Sequence, residues 1–246
     1  MMTKLQRQLT ALALTVAISA ALVPPMRLQA QEDEVAQLMR QMSSAAKVGQ
    51  LFLVTFPGAE VDERAAITEL IRDYHVGGVV LKPENGNINN DGDTPAQVTG
   101  LVSRLQETAW QSTRPVTDTV SGPFVPLFVA VDQEGNGMPF TSIVSGTTTV
   151  GQIVGRELSA MGINMLLGPS LDVLENPRPA SSGDLGVRTF GGEPFWVGEM
   201  GKAYIRGVHE GSAGEMAVVA KHFPGLVSSD RSLDDEISTV QRTLEK

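Results

Sequence analysis

The chain has 246 residues, of which 41% are hydrophobic and 19% are charged, so most of it is expected to fold around a core. Its net charge of −9 argues against a nucleic-acid-binding protein, which needs a cationic face to displace counterions from phosphates. Cysteine is absent, which excludes disulfide scaffolds, thiolate zinc sites, cysteine nucleophiles and lipid-modified cysteine anchors in this chain.

The first thirty residues have the layout of a secretory signal. Lys4 and Arg7 precede an uncharged run over 9–23, and Ala30 provides a small residue at a cleavage point. The apolar run is about fifteen residues long, shorter than the roughly 20 that a membrane-spanning helix needs. We expect cleavage near Ala30, a secreted or periplasmic (cell-envelope) location and no stable membrane anchor. An uncleaved signal anchor is the alternative.

After this signal segment 1–30, short apolar runs alternate with helical patterns along 31–246. The runs are continuous rather than alternating in polarity, as expected of strands buried on both faces of a parallel sheet. Strands are predicted at 51–56, 76–81, 125–131, 163–167 with an extension to 173, and 216–220. Helices are predicted at 32–48, 62–74, 95–112, 148–161 and 194–211. This alternation is typical of an α/β fold, either an open doubly wound sheet or a closed barrel.

The polar loop 83–94 has two interpretations. Asn87, Asn89, Asp91 and Asp93 alternate in the manner of calcium ligands. An EF-hand loop starting at Asn87 would need a bidentate Glu at its twelfth position, where this chain has Val98. The ligand set is therefore incomplete, and we interpret the segment as a solvated loop without a metal.

Charged side chains follow the buried runs where each run ends. Asp132 follows the third run, Asp172 lies at the end of the fourth, and Lys221 and His222 follow the fifth. The carboxyl ends of strands meet on one face of every parallel α/β architecture, and that face carries the functional site. Arg188, in the long loop after the fourth run, can reach the same face. We expect these five residues to form one site.

Such a set suits a ligand that is rich in hydroxyl groups. A carboxylate accepts hydrogen bonds from neighbouring hydroxyls, while Lys, Arg and His donate to other oxygens, and charge-assisted bonds are the stronger kind. Each residue also has a purely structural interpretation. Asp132 would cap a turn, and Asp172 would pair with Arg188. A structural interpretation fits Lys221 and His222 less well, because two cation-capable groups at the end of a buried strand need a partner.

Six motifs occur here in the order seen in glycoside hydrolase family 3. They are Lys47-Val48-Gly49-Gln50-Leu51-Phe52, Gly77-Gly78-Val79-Val80-Leu81, Val131-Asp132-Gln133-Glu134-Gly135, Gly168-Pro169-Ser170-Leu171-Asp172-Val173, Arg188-Thr189-Phe190-Gly191 and Lys221-His222-Phe223-Pro224-Gly225. The stretch from about residue 38 to 246 resembles the β-N-acetylglucosaminidase-like and β-glucosidase-like members of that family. The resemblance implies a (β/α)8 TIM barrel, of which this chain would hold about the first five βα units.

The resemblance also implies a function. It implies hydrolysis of a terminal β-linked sugar, of glucose or N-acetylglucosamine type, with retention of configuration. The substrate is then a small carbohydrate or glycoside. Asp132, Arg188, Lys221 and His222 match the residues that hold the sugar in the family, with Asp172 near the same pocket. No cofactor is implied, and the oligomeric state is left open.

The chain departs from the family pattern at three places. No Arg follows the Asp-Gln-Glu-Gly motif within 136–140, which weakens any transfer of N-acetylglucosamine specificity. The family's catalytic His and Asp pair is absent after Lys-His-Phe-Pro-Gly, where Asp234 takes the His position as a candidate acid/base. An acidic helix start is the alternative interpretation of that segment.

The third departure concerns the number of strands. Five strands are predicted, whereas a closed barrel needs eight, and the family's nucleophile is an Asp on a later strand. We therefore expect the sequence to lack the nucleophile and about three βα units. A rival hypothesis is a non-catalytic sugar-binding or interaction protein.

Overall fold

The computed structural model describes residues 26–114, 122–134, 144–176 and 186–226. Within these ranges, five strands form one parallel sheet in which spatial order follows chain order. The strands are β1 (Leu53–Val54), β2 (Gly78–Leu81), β3 (Phe128–Asp132), β4 (Met165–Ser170) and β5 (Ala217–Lys221). The helices are α1 (Met26–Gln41), α2 (Ser44–Gly49), α3 (Ala66–Arg72), α4 (Thr94–Ser112), α5 (Val144–Ala160) and α6 (Pro194–Gly211).

One helix joins each strand to the next, with α3, α4, α5 and α6 as the successive connections. Parallel neighbours need such crossovers because a short turn can only reverse the chain. The prediction of an α/β fold is confirmed, and each of the five predicted strands is present among the described residues. The sequential strand order is that of consecutive βα units of a barrel, and it differs from a doubly wound sheet, in which the strand order reverses.

The predicted helix 32–48 is divided in two. Ser43 has an extended backbone, and its side chain accepts a hydrogen bond from the backbone N–H of Ala46 at 3.0 Å, which begins α2. Helix α1 begins at Met26, so Ala30, the predicted cleavage point, lies within it. Among the described residues, no helix combines the length and the apolar character needed to cross a membrane.

The strands differ in burial according to their place in the sheet. All four residues of β2 are buried, and Val79 and Val129 of β2 and β3 are completely so. Strand β1 forms only two pairs with β2, although a strand over 51–56 was predicted. Leu51 and Phe52, which precede β1 in the chain, are exposed, because β1 is an edge strand with a single neighbour among the described residues.

The core lies between this sheet and the helices that cover its outer face. Leu101 and Leu105 of α4 are completely buried, and their four-residue spacing places both side chains on the same side of the helix. Helices α5 and α6 approach each other closely where Gly151 faces Tyr204. A Cβ atom at Gly151 would lie 2.3 Å from the backbone oxygen of Tyr204, so this contact requires glycine.

The loop 83–94 is more ordered than a solvated loop. Asn87 is completely buried, and its side-chain amide donates to the backbone oxygens of Phe56 and Gly58 at 3.0 and 2.6 Å. Its side-chain oxygen accepts from the backbone N–H of Lys82 at 2.9 Å. Asp93 caps α4 by accepting from Ala96 N at 3.1 Å. The alternating Asn and Asp residues therefore include one buried anchor and one helix cap.

Candidate functional site

Strands β3, β4 and β5 bring their carboxyl ends together on one edge of the sheet. Asp132 is the last residue of β3 and Lys221 the last of β5, with His222 directly after it and Asp172 two residues beyond β4. Because the three strands are parallel and adjacent, these side chains meet although they are far apart in sequence. Arg188, in a short 3-10 turn, reaches the same cluster through Glu134.

Lys221 binds two carboxylates from the end of β3. Its Nζ atom donates to Oδ2 of Asp132 at 2.8 Å and lies 2.5 Å from Oε1 of Glu134. Burial alone would lower the pKa of Lys221, but the contacts with Asp132 and Glu134 outweigh it and hold the pKa above its usual value. Lys221 is therefore a cation at neutral pH.

Asp172 is a carboxylate whose two oxygens both accept hydrogen bonds. Its Oδ2 accepts from Ser170 Oγ at 3.0 Å and from the His222 backbone N–H at 3.1 Å, and it lies 2.7 Å from His222 Nδ1. Its Oδ1 accepts from the backbone N–H of Leu226 at 2.6 Å. Burial favours the neutral acid, but these donors outweigh it and lower the pKa of Asp172 to about 2.

The ionisation of Asp172 determines the tautomer of His222. An ionised carboxylate only accepts hydrogen bonds, so the Nδ1 atom of His222 carries the proton of the 2.7 Å contact. The Nε2 atom then points away from Asp172 and lies 3.7 Å from Oε1 of Glu134. The peptide bond between Lys221 and His222 is cis.

Glu134 is the residue that sequence reasoning missed. Its side chain is only 3% exposed, and its Oε2 lies 3.3 Å from Nη1 of Arg188. The structure thus places Arg188 against Glu134. The non-functional interpretation of Asp172 from the sequence was instead a pair with Arg188. A signal was present, because Glu134 follows Asp132 by two residues and such residues of an extended segment share one side.

The cluster leaves polar groups accessible on its open side. The side chain of Asp132 is 49% exposed, while those of Lys221, His222 and Arg188 are partly buried. Of the five residues predicted to form one site, four are in direct contact in two pairs, and Glu134 lies within ion-pair distance of Lys221, His222 and Arg188. Asp234 lies outside the described residues, as do positions 136–140 and most of the predicted signal. The described residues contain no group of three or more His, Asp and Glu side chains placed to hold a metal ion.

Comparison with known proteins identifies the family. Residues 43–246 match the family model described as the glycosyl hydrolase family 3 N terminal domain. The chain belongs to glycoside hydrolase family 3. The match begins just before α2 and includes every residue of the cluster, and it confirms the family that the six motifs indicate.

Relatives within family 3 have names that refer to β-linked sugars. β-Hexosaminidase A of Pseudoalteromonas piscicida is 32% identical over 191 residues, which cover 67% of this chain and 28% of that protein. The β-N-acetylglucosaminidase/β-glucosidase of Cellulomonas fimi is 29% identical over 203 residues, covering 76% of this chain and 30% of that protein. The chain therefore spans less than a third of the length of these two relatives.

Solved structures of family 3 enzymes share the fold. A β-N-acetylglucosaminidase from Paenibacillus sp. str. FPU-7 has a TM-score of 0.65 and 29% identity, covering 83% of this chain and 37% of that one. A β-N-acetylhexosaminidase from Beutenbergia cavernae has a TM-score of 0.60 and 28% identity, covering 78% and 57%. The five-stranded sheet corresponds to part of a TIM-barrel-like domain, as predicted.

Proposed function

We propose that this chain supplies the sugar-binding part of a retaining β-glycosidase that removes a terminal glucose-type or N-acetylglucosamine-type residue. The observation that carries the proposal is the cluster in which Lys221 joins Asp132 and Glu134 beside the Asp172–His222 pair. The names of the family 3 relatives support β-linked sugars as the substrate class. The substrate is a small carbohydrate or glycoside.

The open side of the cluster offers both a hydrogen-bond donor and a hydrogen-bond acceptor to a sugar hydroxyl. Asp132 is half exposed, and its Oδ1 is available to accept from a hydroxyl. Lys221 has three N–H groups, of which two face Asp132 and Glu134. Its third N–H has no partner among the residues that the structure describes, and it is suited to donate to a ring hydroxyl. Charge-assisted bonds of this kind are stronger than neutral ones.

Binding of this kind contributes to catalysis when it strengthens in the transition state. A retaining glycosidase places a carboxylate nucleophile and an acid/base about 5 Å apart around an oxocarbenium-like transition state. We assign neither role to the described carboxylates, because Asp132 and Glu134 neutralise Lys221 and Asp172 binds His222. Asp234 remains the candidate acid/base from the sequence. The proposed role of the cluster is to hold and orient the sugar.

We also propose that the protein is exported. The support is the basic start, the apolar run and the small residue near Ala30. Fractionation of the native host, with mass determination of the mature N-terminus, tests this proposal. A mature chain that still begins at Met1 in the cytoplasm would contradict it.

The sugar-binding proposal is tested by calorimetry on the purified chain after gel filtration shows a folded species. N-Acetylglucosamine and glucose are titrated separately. We expect Asp132→Asn to weaken binding of the preferred sugar about tenfold, or roughly 1.4 kcal/mol, because a neutral amide replaces a charged acceptor. The matched control Asp91→Asn changes an exposed loop residue and should leave the affinity unchanged. A folded chain that binds neither sugar overturns the proposal.

Hydrolysis is tested on the whole protein as its host makes it. Release of nitrophenol from nitrophenyl β-N-acetylglucosaminide and β-glucoside reports turnover. We expect Lys221→Met to reduce turnover by at least a hundredfold, because the sugar loses a charged donor. Sugar binding without any turnover would instead support the non-catalytic sugar-binding protein that the sequence leaves as an alternative.

A further inference from the structure

Glu134 lies where three separate connections of the fold meet. Its Oε1 is 2.5 Å from Nζ of Lys221 at the end of β5 and 3.7 Å from Nε2 of His222. Its Oε2 is 3.3 Å from Nη1 of Arg188, which belongs to the connection between β4 and α6. One carboxylate just after β3 therefore faces cationic or cation-capable groups from the end of β5 and from the connection between β4 and α6.

The contacts of Glu134 differ from those of a structural hydrogen-bond anchor. Both of its carboxylate oxygens are buried, and neither has a well-aligned hydrogen bond among the residues that the structure describes. The short approach of Lys221 is an ion pair with imperfect angles. Burying a carboxylate is unfavourable unless charges or hydrogen bonds compensate for the lost water. Here the compensation comes from Lys221 and Arg188.

We infer that Glu134 is a positioning residue that holds Lys221 and Arg188 in place for the sugar, an inference that rests on the proposed function. A ligand does not reach Glu134 directly, because its side chain is only 3% exposed. It acts through the two cations that it contacts, Lys221 and Arg188. No role of this kind followed from the sequence.

Glu134 also affects the availability of Asp132. Lys221 is attracted to both carboxylates, but only Asp132 is on the open side. With Glu134 in place, the buried carboxylate provides part of the negative charge that neutralises the ammonium group, and Asp132 retains capacity to accept from a hydroxyl. Without Glu134, Asp132 would be the one carboxylate of the pair left to neutralise Lys221 and would be less available to the sugar.

The inference is tested with Glu134→Gln, which removes the charge and keeps the shape, against Glu60→Gln as an exposed control. The first readout is the affinity for N-acetylglucosamine or glucose by calorimetry, and we expect it to fall at least tenfold. The second is the titration of the Lys221 ammonium group by NMR. We expect its pKa to fall, because Glu134 is one of the two groups that hold it above the usual value. The lower pKa shows that Glu134 acts on Lys221, and the loss of affinity in the same folded variant shows that this contact matters for the sugar and is not merely structural.

The two readouts separate this inference from the proposed function. If the wild-type chain binds no sugar, the proposed function fails, while the Lys221 titration still tests Glu134. A folded Glu134→Gln variant with wild-type sugar affinity overturns the inference, whatever its Lys221 pKa.

The conservative variant Glu134→Asp keeps the charge and shortens the side chain by one methylene. We expect Lys221 to keep most of the rise in its pKa, because the charge at position 134 remains. We expect sugar to bind at least threefold more weakly, because the cations are displaced. It also provides the same test should Glu134→Gln not fold, and wild-type affinity in Glu134→Asp would then overturn the inference.

Discussion

Asp172 and Glu134 are both carboxylates buried at the carboxyl end of the sheet, but their surroundings differ. Asp172 accepts four hydrogen bonds, from Ser170, from the backbone and ring of His222, and from Leu226. Glu134 has no well-aligned hydrogen bond among the described residues and faces Lys221 and His222 on one oxygen and Arg188 on the other. Asp172 therefore holds backbone N–H groups and the His222 ring, whereas Glu134 holds the charged side chains of Lys221 and Arg188.

The difference shows which interactions each carboxylate depends on. Hydrogen bonds are directional, so Asp172 fixes the orientation of the His222 ring and the path of the chain after β5. Ion pairs depend mainly on distance, so Glu134 controls where the charges of Lys221 and Arg188 lie. Substitutions that break the contacts of Glu134 and of Asp172 should therefore change the stability of the fold by different amounts.

The largest effect is expected when Glu134 loses its closest cation. Lys221→Met keeps a similar volume but leaves Glu134 buried beside a neutral side chain, which costs about 3–5 kcal/mol of unfolding free energy. Denaturant unfolding measures this change. The matched control is Lys202→Met, since Lys202 forms an exposed pair with Glu199, and removing such a pair costs less than about 1 kcal/mol. Equal losses of stability in the two variants would contradict the prediction that the buried contact of Glu134 contributes more than an exposed ion pair.

A smaller effect is expected when Asp172 loses its charge. Asp172→Asn keeps one acceptor oxygen but weakens the charge-assisted bonds with His222 and Leu226, which costs about 2–3 kcal/mol. Chemical unfolding gives the difference, with Asp91→Asn as the exposed control, expected to change stability by less than about 0.5 kcal/mol. NMR of the His222 ring should show faster exchange of the Nδ1 proton with solvent, because a neutral acceptor holds it more weakly. An exchange rate equal to that of the wild type would contradict the charge-assisted hydrogen bond.

The smallest effect is a pH dependence that belongs to Asp172. Its folded pKa of about 2 lies below the ordinary value of 3.8, so ionised Asp172 stabilises the fold above about pH 4. This stabilisation is lost as the pH falls from about 4 towards 2. The stability difference between wild type and Asp172→Asn should therefore shrink over that interval. A difference that stays constant from pH 7 to pH 2 would show that Asp172 has an ordinary pKa in the folded chain.

Much of the fold could be predicted because strand and helix patterns are local. The five apolar runs and the helices between them coincide with the five strands and their crossovers, and helix 194–211 was predicted with the bounds that the structure has. Prediction was poorer at the edge of the sheet. The run 51–56 looks like the others, but only Leu53 and Val54 pair, since pairing depends on a neighbouring strand and not on the run itself.

The residue types of the site could be predicted, but their pairing could not. Charged residues at strand ends point to one face in any parallel α/β fold, which is why the sequence could predict that Asp132, Asp172 and Lys221 lie on the same face. Glu134 was missed because it follows the strand and looks like part of a polar loop. Asn87 was interpreted as a loop residue for the same reason, although its side chain bonds to Phe56 and Gly58.

The sequence by itself determined the α/β fold, the five strands that the described residues form and the family, because these depend on local hydrophobic patterns and on short motifs. Only the tertiary structure decided which charges meet. Lys221 and Asp132 are 89 residues apart, and His222 and Asp172 are 50 apart. Such contacts depend on the register of neighbouring strands and on the course of the loops, and neither is encoded in a local pattern. Tertiary packing therefore placed Glu134 between Lys221 and Arg188.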